Sequence, residues 1–121
     1  MAAVTRVKAY PCMPVGYEVV MEASVVTEAV VAGDLLMLGP TGWSRSPATT
    51  PAAKRGFAAQ DYRAGQKDCS IIIQGEMDGW SGLTPGAPLY PGATGGLDDA
   101  AVAGFVGLIH AVSATRIQFT L

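Results

Sequence analysis

The residues that can support catalysis or metal binding are few and scattered along this chain. His110 is the only histidine, and Cys12 and Cys69 lack both a C-x-x-C spacing and a histidine nearby in sequence. A nucleophilic cysteine needs a neighbour that favours its thiolate, and a histidine metal site needs several imidazoles. We therefore expect two reduced, buried thiols, with a single disulfide bridge as the alternative, and a structural or surface histidine.

Two acidic pairs and one glycine-rich segment are the other candidates for chemistry. Glu76 with Asp78, and Asp98 with Asp99, offer hard oxygen ligands but lack the alternating spacing of a calcium loop. Residues 92–96 (GATGG) resemble a phosphate loop but lack its Lys-Ser/Thr ending and a following helix. These patterns indicate solvated carboxylates and a plain turn. The sequence predicts no catalytic residue, no metal site and no cofactor, and hence a protein that is not an enzyme.

Composition limits the kind of partner. The chain has 121 residues with 8 basic and 10 acidic side chains, a formal net charge of -2. Such a balance cannot hold nucleic acid or an anionic membrane surface by counterion release. The longest apolar run, residues 100–109, is about half of the roughly 20 residues that span a bilayer. Half of the residues are apolar and only 15% are charged, which indicates that part of the surface contacts another protein.

Short extended segments between turns are the elements that must position these residues. The 15 glycines and 8 prolines predict frequent turns and disfavour long helices. We expect an all-β fold, a small β-sandwich or β-barrel with Gly/Pro-rich turns. The strongest strand candidates are residues 35–38, 56–59, 69–74, 104–112 and 115–121. Residues 43–54 and 75–91 are predicted as loop and turn.

The first third of the chain leaves alternatives open. Residues 1–15 are predicted as an extended N-terminal arm or an edge strand, and residues 16–121 as a single β domain. Residues 17–24 favour a strand, whereas a helix over residues 18–31 is the competing interpretation. That helix is disfavoured by its valines and by the lack of a capping residue.

The candidates for a protein interface are large apolar side chains in turn-rich segments. Tryptophan and tyrosine are favoured interface anchors, although the same side chains also serve as a lid over a protein's own core. The candidates are Trp43, Met77, Trp80 and Tyr90, together with Val4 and Val7 of the N-terminal segment, which we expect to add a strand to a neighbouring sheet.

The second half of the chain resembles a known class of virion protein. The residues that carry the resemblance are 56–59 (GFAA), 64–65 (AG), 75–80 (GEMDGW), 83–90 (LTPGAPLY) and 111–117 (AVSATRI). Together they resemble small capsid decoration (cement) proteins of tailed double-stranded-DNA phages. The resemblance extends over about residues 55–121.

The resemblance implies a structural protein made in the cytoplasm of the host bacterium. Such a protein adds to the outer surface of the phage head, often as a trimer, and bridges neighbouring major capsid subunits. Many moderate contacts then act together through effective concentration. The alternatives are a phage tail, fibre or baseplate component, or a small β-barrel module that binds a ligand or carbohydrate on Trp43, Trp80 and Tyr90.

Overall fold

The computed structural model describes residues 3–12, 20–47 and 54–121, and its regular structure is almost entirely β. The strands are β1 (Thr5–Cys12), β2 (Val20–Ser24), β3 (Leu35–Gly39), β4 (Gly42–Arg45), β5 (Arg55–Ala58), β6 (Cys69–Ser81), β7 (Tyr90–Pro91), β8 (Leu97–Asp98), β9 (Leu108–Ala111) and β10 (Arg116–Thr120). One 3-10 turn is present in the described part of the chain, Ala93–Gly95 between β7 and β8. The all-β prediction is therefore confirmed, and the arrangement is sandwich-like.

The 13-residue strand β6 organises the fold because it belongs to two half-sheets. Its first half pairs with β5 on one edge and β2 on the other, and its second half pairs with β10 and β1. The strand orders are β4-β3-β5-β6-β2 in one half-sheet and β9-β10-β6-β1 in the other. All of these pairings are antiparallel.

Two hydrophobic clusters lie on opposite faces of the first half-sheet. Leu35 and Ile72 belong to the larger cluster, together with Phe57, whereas their sequence neighbours Leu36 and Ile71 belong to the smaller one. Successive side chains of a strand point to opposite faces, so a strand that is covered on both sides has consecutive apolar residues. This explains the Leu-Leu and Ile-Ile pairs in the sequence.

Several predicted elements differ from the structure. Residues 75–81, predicted as turn, continue β6, and the start of the predicted loop at residues 43–54 contains most of β4. Residues 48–53 of that loop lie outside the described residues. Val20–Ser24 is a strand as expected, which rules out the helical alternative there, and residues 17–19 are not among those described. Of the predicted N-terminal segment, Thr5–Cys12 forms an edge strand on β6.

Candidate protein-interaction surface

Three of the six predicted interface residues lie in the core. Trp43, Met77 and Trp80 are 1%, 0% and 3% exposed. Trp80 packs edge-on against Phe57 with ring centroids 6.2 Å apart, in the larger cluster. The prediction that these three side chains form the centre of an interface is therefore wrong for the folded chain, because they fill its own interior. The two tryptophans also provide no exposed stacking platform for a carbohydrate.

The other three predicted residues lie nearer the surface. Tyr90 is half-buried, with its ring 6.2 Å from that of Phe105. Val4 is also half-buried and donates its backbone N–H to the Leu97 carbonyl at 2.9 Å. Val7 has the most exposed large apolar side chain among the described residues, at 75%. Val7 is thus the one predicted interface residue whose side chain is mostly exposed to solvent.

A second exposed apolar surface was not predicted from the sequence. Val106, Leu108 and Val112 are 70%, 63% and 38% exposed, and they lie on or beside β9. We call these three residues the β9 patch. Ile109 and Ala111 alternate with them and face the core. The sequence feature that could have indicated this surface is the apolar run of residues 100–109. Its side chains cannot all point inward from a strand that is covered on one face.

An ion-pair network occupies part of the surface between Val7 and the β9 patch. On the outer face of the second half-sheet, Arg116 of β10 pairs with Asp78 at 3.3 Å and with Glu76 at 3.7 Å, both on β6. Two interactions raise the pKa of Arg116. The larger is with the negative charge that Cys12 carries as a thiolate, and the second is the hydrogen bond that Arg116 donates to Asp78. The predicted acidic pair at 76 and 78 is thus held by a cation of the same chain. This arrangement is a structural ion-pair network, with a surface contribution to stability of about 1 kcal/mol or less.

The other predicted chemical groups do not converge. His110 lies beside Gln118 on the outer face of β9 and β10, and Asp98 accepts a hydrogen bond from the Ala100 N–H at 2.9 Å. The glycine-rich segment closes on itself, since the Gly92 N–H donates to the Gly96 carbonyl at 2.8 Å. A cavity of about 330 Å³ lies between residues 3–5 and 81–89, and its polar lining is Thr5, Ser81, Thr84 and Asp99, without a histidine, lysine or cysteine.

Cys12 and Cys69 are free thiols with different environments. Cys69 is buried as predicted, whereas Cys12 is half-buried, which corrects the expectation of two buried thiols. Cys12 lies opposite Glu76, seven residues along β6 from Cys69. At about 3.3 Å per residue this is on the order of 20 Å, too far for a disulfide bridge. Burial raises the pKa of Cys69, and burial, partly offset by Arg116, raises the pKa of Cys12.

We expect both thiols to alkylate more slowly at pH 8 than in the denatured chain, with Cys69 the slower of the two. The thiolate is the reactive form, so raised pKa values shift the rise of each rate to higher pH. Iodoacetamide labelling followed by mass spectrometry between pH 7 and pH 10 measures both rates, and Cys12→Ser isolates Cys69. Labelling of Cys69 as fast in the folded as in the denatured chain contradicts the prediction.

Two further searches concern metals and membranes. Within residues 3–12, 20–47 and 54–121, no group of three or more His, Cys, Asp or Glu side chains is placed to hold a metal ion. Over the same residues, no helix has the length and apolar character needed to cross a bilayer.

Comparisons with protein-family models, with curated proteins and with solved structures found no match to this chain. The class that the fold and surface define is therefore an all-β, sandwich-like domain with exposed apolar residues at two edges of one half-sheet.

Proposed function

We propose that this chain is a structural virion protein that binds the outer surface of the head of a tailed double-stranded-DNA phage. In this role it stabilises the head by bridging neighbouring major capsid subunits, and it assembles as a homo-oligomer, with a trimer as the favoured form. The observation that carries the proposal is the relation between the residues of the resemblance and the β9 patch.

Residues that resemble the cement proteins are adjacent in space. The 83–90 segment runs beside β9, with the Leu89 N–H donating to the Ile109 carbonyl at 2.8 Å and the Ala111 N–H to the Ala87 carbonyl at 3.0 Å. The Leu83 N–H donates to the carbonyl of Ala114, in the turn between β9 and β10, and β10 pairs with the second half of β6. Three of the five motifs, residues 75–80, 83–90 and 111–117, thus form one contiguous unit, as expected if they have one common role.

The most exposed apolar residues of the second half of the chain lie on this unit. A stable interface has an apolar centre surrounded by a polar rim. In the β9 patch, Leu108 and Val106 supply the apolar area, and the half-buried polar residues His110 and Gln118 lie beside it. Contact with another protein would remove this apolar area from water, and the burial of apolar area favours association by about 25 cal/mol per Å².

Leu108→Glu is expected to weaken head binding at least tenfold, because a carboxylate would be placed in the apolar centre of the contact. The chain is labelled, mixed with purified heads that lack it, and sedimented, and the bound copies are counted. Thr41→Glu, at an exposed position in the turn between β3 and β4 and outside the region of the resemblance, adds the same charge elsewhere and should bind as the unmodified chain does.

The copy number tests the proposal itself. A cement protein saturates the head at a number that matches the capsomer symmetry. Absence from heads together with a few copies on tails would contradict the proposal and support the tail, fibre or baseplate alternative.

A further inference from the structure

The two halves of the chain repeat one arrangement of backbone hydrogen bonds. The Gly33 N–H donates to the Ala58 carbonyl at 2.9 Å. Over the same spacing along the chain, the Gly86 N–H donates to the Ala111 carbonyl at 2.7 Å. The two glycines have nearly equal φ values, +85 and +84, and β5 pairs with β6 as β9 pairs with β10. We therefore call β3, β4, β5 and the first half of β6 the first unit, and residues 84–91 with β8, β9 and β10 the second unit.

The two units differ in what covers one of their faces. In the first unit Phe57 lies opposite Ile72, and the equivalent pair in the second unit is His110 opposite Gln118. Phe57 and Ile72 are both 0% exposed, since they belong to the larger cluster, where Phe57 packs on Phe119 of the second unit with ring centroids 4.5 Å apart. His110 and Gln118 are only half-buried. The second unit thus leaves open the face that its counterpart buries against another unit.

The open face consists of two rows of side chains that cross the half-sheet β9-β10-β6-β1. Directly paired residues of adjacent strands project from the same face. From β9 to β1, one row is Val112, Arg116, Asp78 and Tyr10, and the other is His110, Gln118, Glu76 and Cys12. None of these side chains is buried. We call the two rows together the two-row face.

The charges of the two-row face are complementary to one another. Its cation, Arg116, lies on β10, and its carboxylates, Asp78 and Glu76, lie on β6. A two-fold axis that runs parallel to these two central strands and between them would place β10 of one copy on β6 of a second copy. Arg116 of each copy then faces Asp78 of the other. In the second row, Glu76 faces Gln118, which can donate a hydrogen bond from its amide group.

The outer strands complement one another under the same symmetry. The axis that places β10 on β6 also places β9 of one copy on β1 of the other. Val112 of one copy then meets Tyr10 of the other, and these side chains are 38% and 53% exposed in the single chain. Apolar area thus meets apolar area, and no two charges of the same sign are directly opposed in either row.

We infer that the two-row face binds the same face of a second copy of this chain, so that free chains form two-fold symmetric pairs. Four strands at about 4.8 Å and five residues at about 3.4 Å give a contact of about 19 by 17 Å. A contact of this size is at the low end for specific pairs, so the pairs should dissociate readily.

Pairing would regulate access to the β9 patch. Val112 belongs to both surfaces, and Leu108 lies on the same side of β9 as His110. A chain that binds a head through the β9 patch must therefore first separate from its partner copy. The pair is a form of the free chain, distinct from the trimer proposed on the head. This consequence rests on the proposed function, whereas the pairing itself does not.

Charge reversal in two separate variants tests the pairing by sedimentation velocity, from micromolar to submillimolar concentration. Arg116→Glu and Asp78→Lys should each pair at least tenfold more weakly than the unmodified chain, because each opposes two like charges across the axis. An equimolar mixture of the two variants should pair within a few-fold of the unmodified chain, since each reversed charge then faces one of opposite sign. Loss of the ion pair within one chain cannot produce this recovery.

Arg45→Glu is the matched control. It breaks an exposed ion pair of the first unit, with Glu28 at 3.0 Å, and should leave pairing unchanged. The unmodified chain labelled with ¹⁵N provides a measurement that does not depend on any variant. Raising its concentration should shift the amide signals of residues 76–78, 110–112 and 116–118 but not those of residues 41–45.

Each result decides the inference. An unmodified chain that stays monomeric at submillimolar concentration, or a mixture that pairs no better than either variant alone, would overturn it. Binding of the unmodified chain to heads is measured separately. If the chain pairs but does not bind heads, the pairing stands and the proposed function fails, and head binding without pairing gives the reverse.

Discussion

Gly79→Ala is expected to destabilise the protein by more than about 3 kcal/mol, because two unfavourable terms add at this position. A Cβ atom at Gly79 would overlap the carbonyl oxygen of Lys8 and the Cα of Ala9, which lie in the bulge that β1 forms between Arg6 and Tyr10. The backbone there also has φ +118, a conformation that residues with side chains rarely adopt. Because both clashing atoms belong to the backbone, only displacement of β1 relieves the overlap.

Gly82→Ala is the matched control for Gly79→Ala. Gly82 has φ +70 and no atom within 4 Å of the Cβ position, so only the backbone term applies, about 1–2 kcal/mol. Urea unfolding of both variants measures the difference in free energy. Equal destabilisation by the two substitutions would show that the β1 bulge does not press on Gly79. Amide shifts of residues 5–12 report directly whether β1 has moved.

The strands with the clearest pattern were predictable from the sequence. The alternation of Ile117 and Phe119 with polar residues identified β10, and both apolar side chains are buried. The β-branched run at residues 69–74 identified the first half of β6. In these segments the local pattern and the tertiary environment agree, so propensity and periodicity alone are sufficient.

The second half of β6 was not predictable because its signals conflict. Gly75, Gly79 and the acidic residues at 76 and 78 are typical of turns, and Met77 and Trp80 are three residues apart, which breaks the period of two, yet both face the core and the strand continues through them. Glycine stands at position 79 because the bulge of β1 occupies the space of a side chain. That requirement comes from a residue more than 70 positions earlier in the chain. A local sequence window does not contain it.

The location of the candidate interface was only partly predictable. Large aromatic side chains in turn-rich segments are suited both to an interface and to a core. The sequence does not show which of these side chains a second hydrophobic cluster will bury. Trp43 is buried by Val26 and Tyr62, which belong to the smaller cluster and come from segments before and after it. The β9 patch follows from an apolar run too long for one buried face. Val7 was a candidate because its N-terminal segment was predicted to add a strand to a neighbouring sheet, and the structure shows that its side chain is exposed.

Trp80→Ala is expected to lower the free energy of unfolding by about 3–5 kcal/mol, the usual range for removing a large aromatic side chain from a core. Trp80 lies at the junction of β6 with the bulged part of β1, where it contacts Phe57 and belongs to the larger cluster. If Trp80 were instead an exposed binding residue, its removal would weaken association and leave stability almost unchanged. Chemical denaturation of the isolated chain therefore separates the two roles without any partner.

Leu108→Ala provides the opposite case and completes the test. Leu108 is 63% exposed, so truncating it should change stability by less than about 0.5 kcal/mol. The same substitution should weaken binding to heads, because it removes part of the apolar centre of the β9 patch. A stable Trp80→Ala variant together with an unstable Leu108→Ala variant would contradict both assignments. We expect Trp80→Ala to lose stability and Leu108→Ala to lose binding. This difference distinguishes the residues that build the domain from those that it presents to a partner.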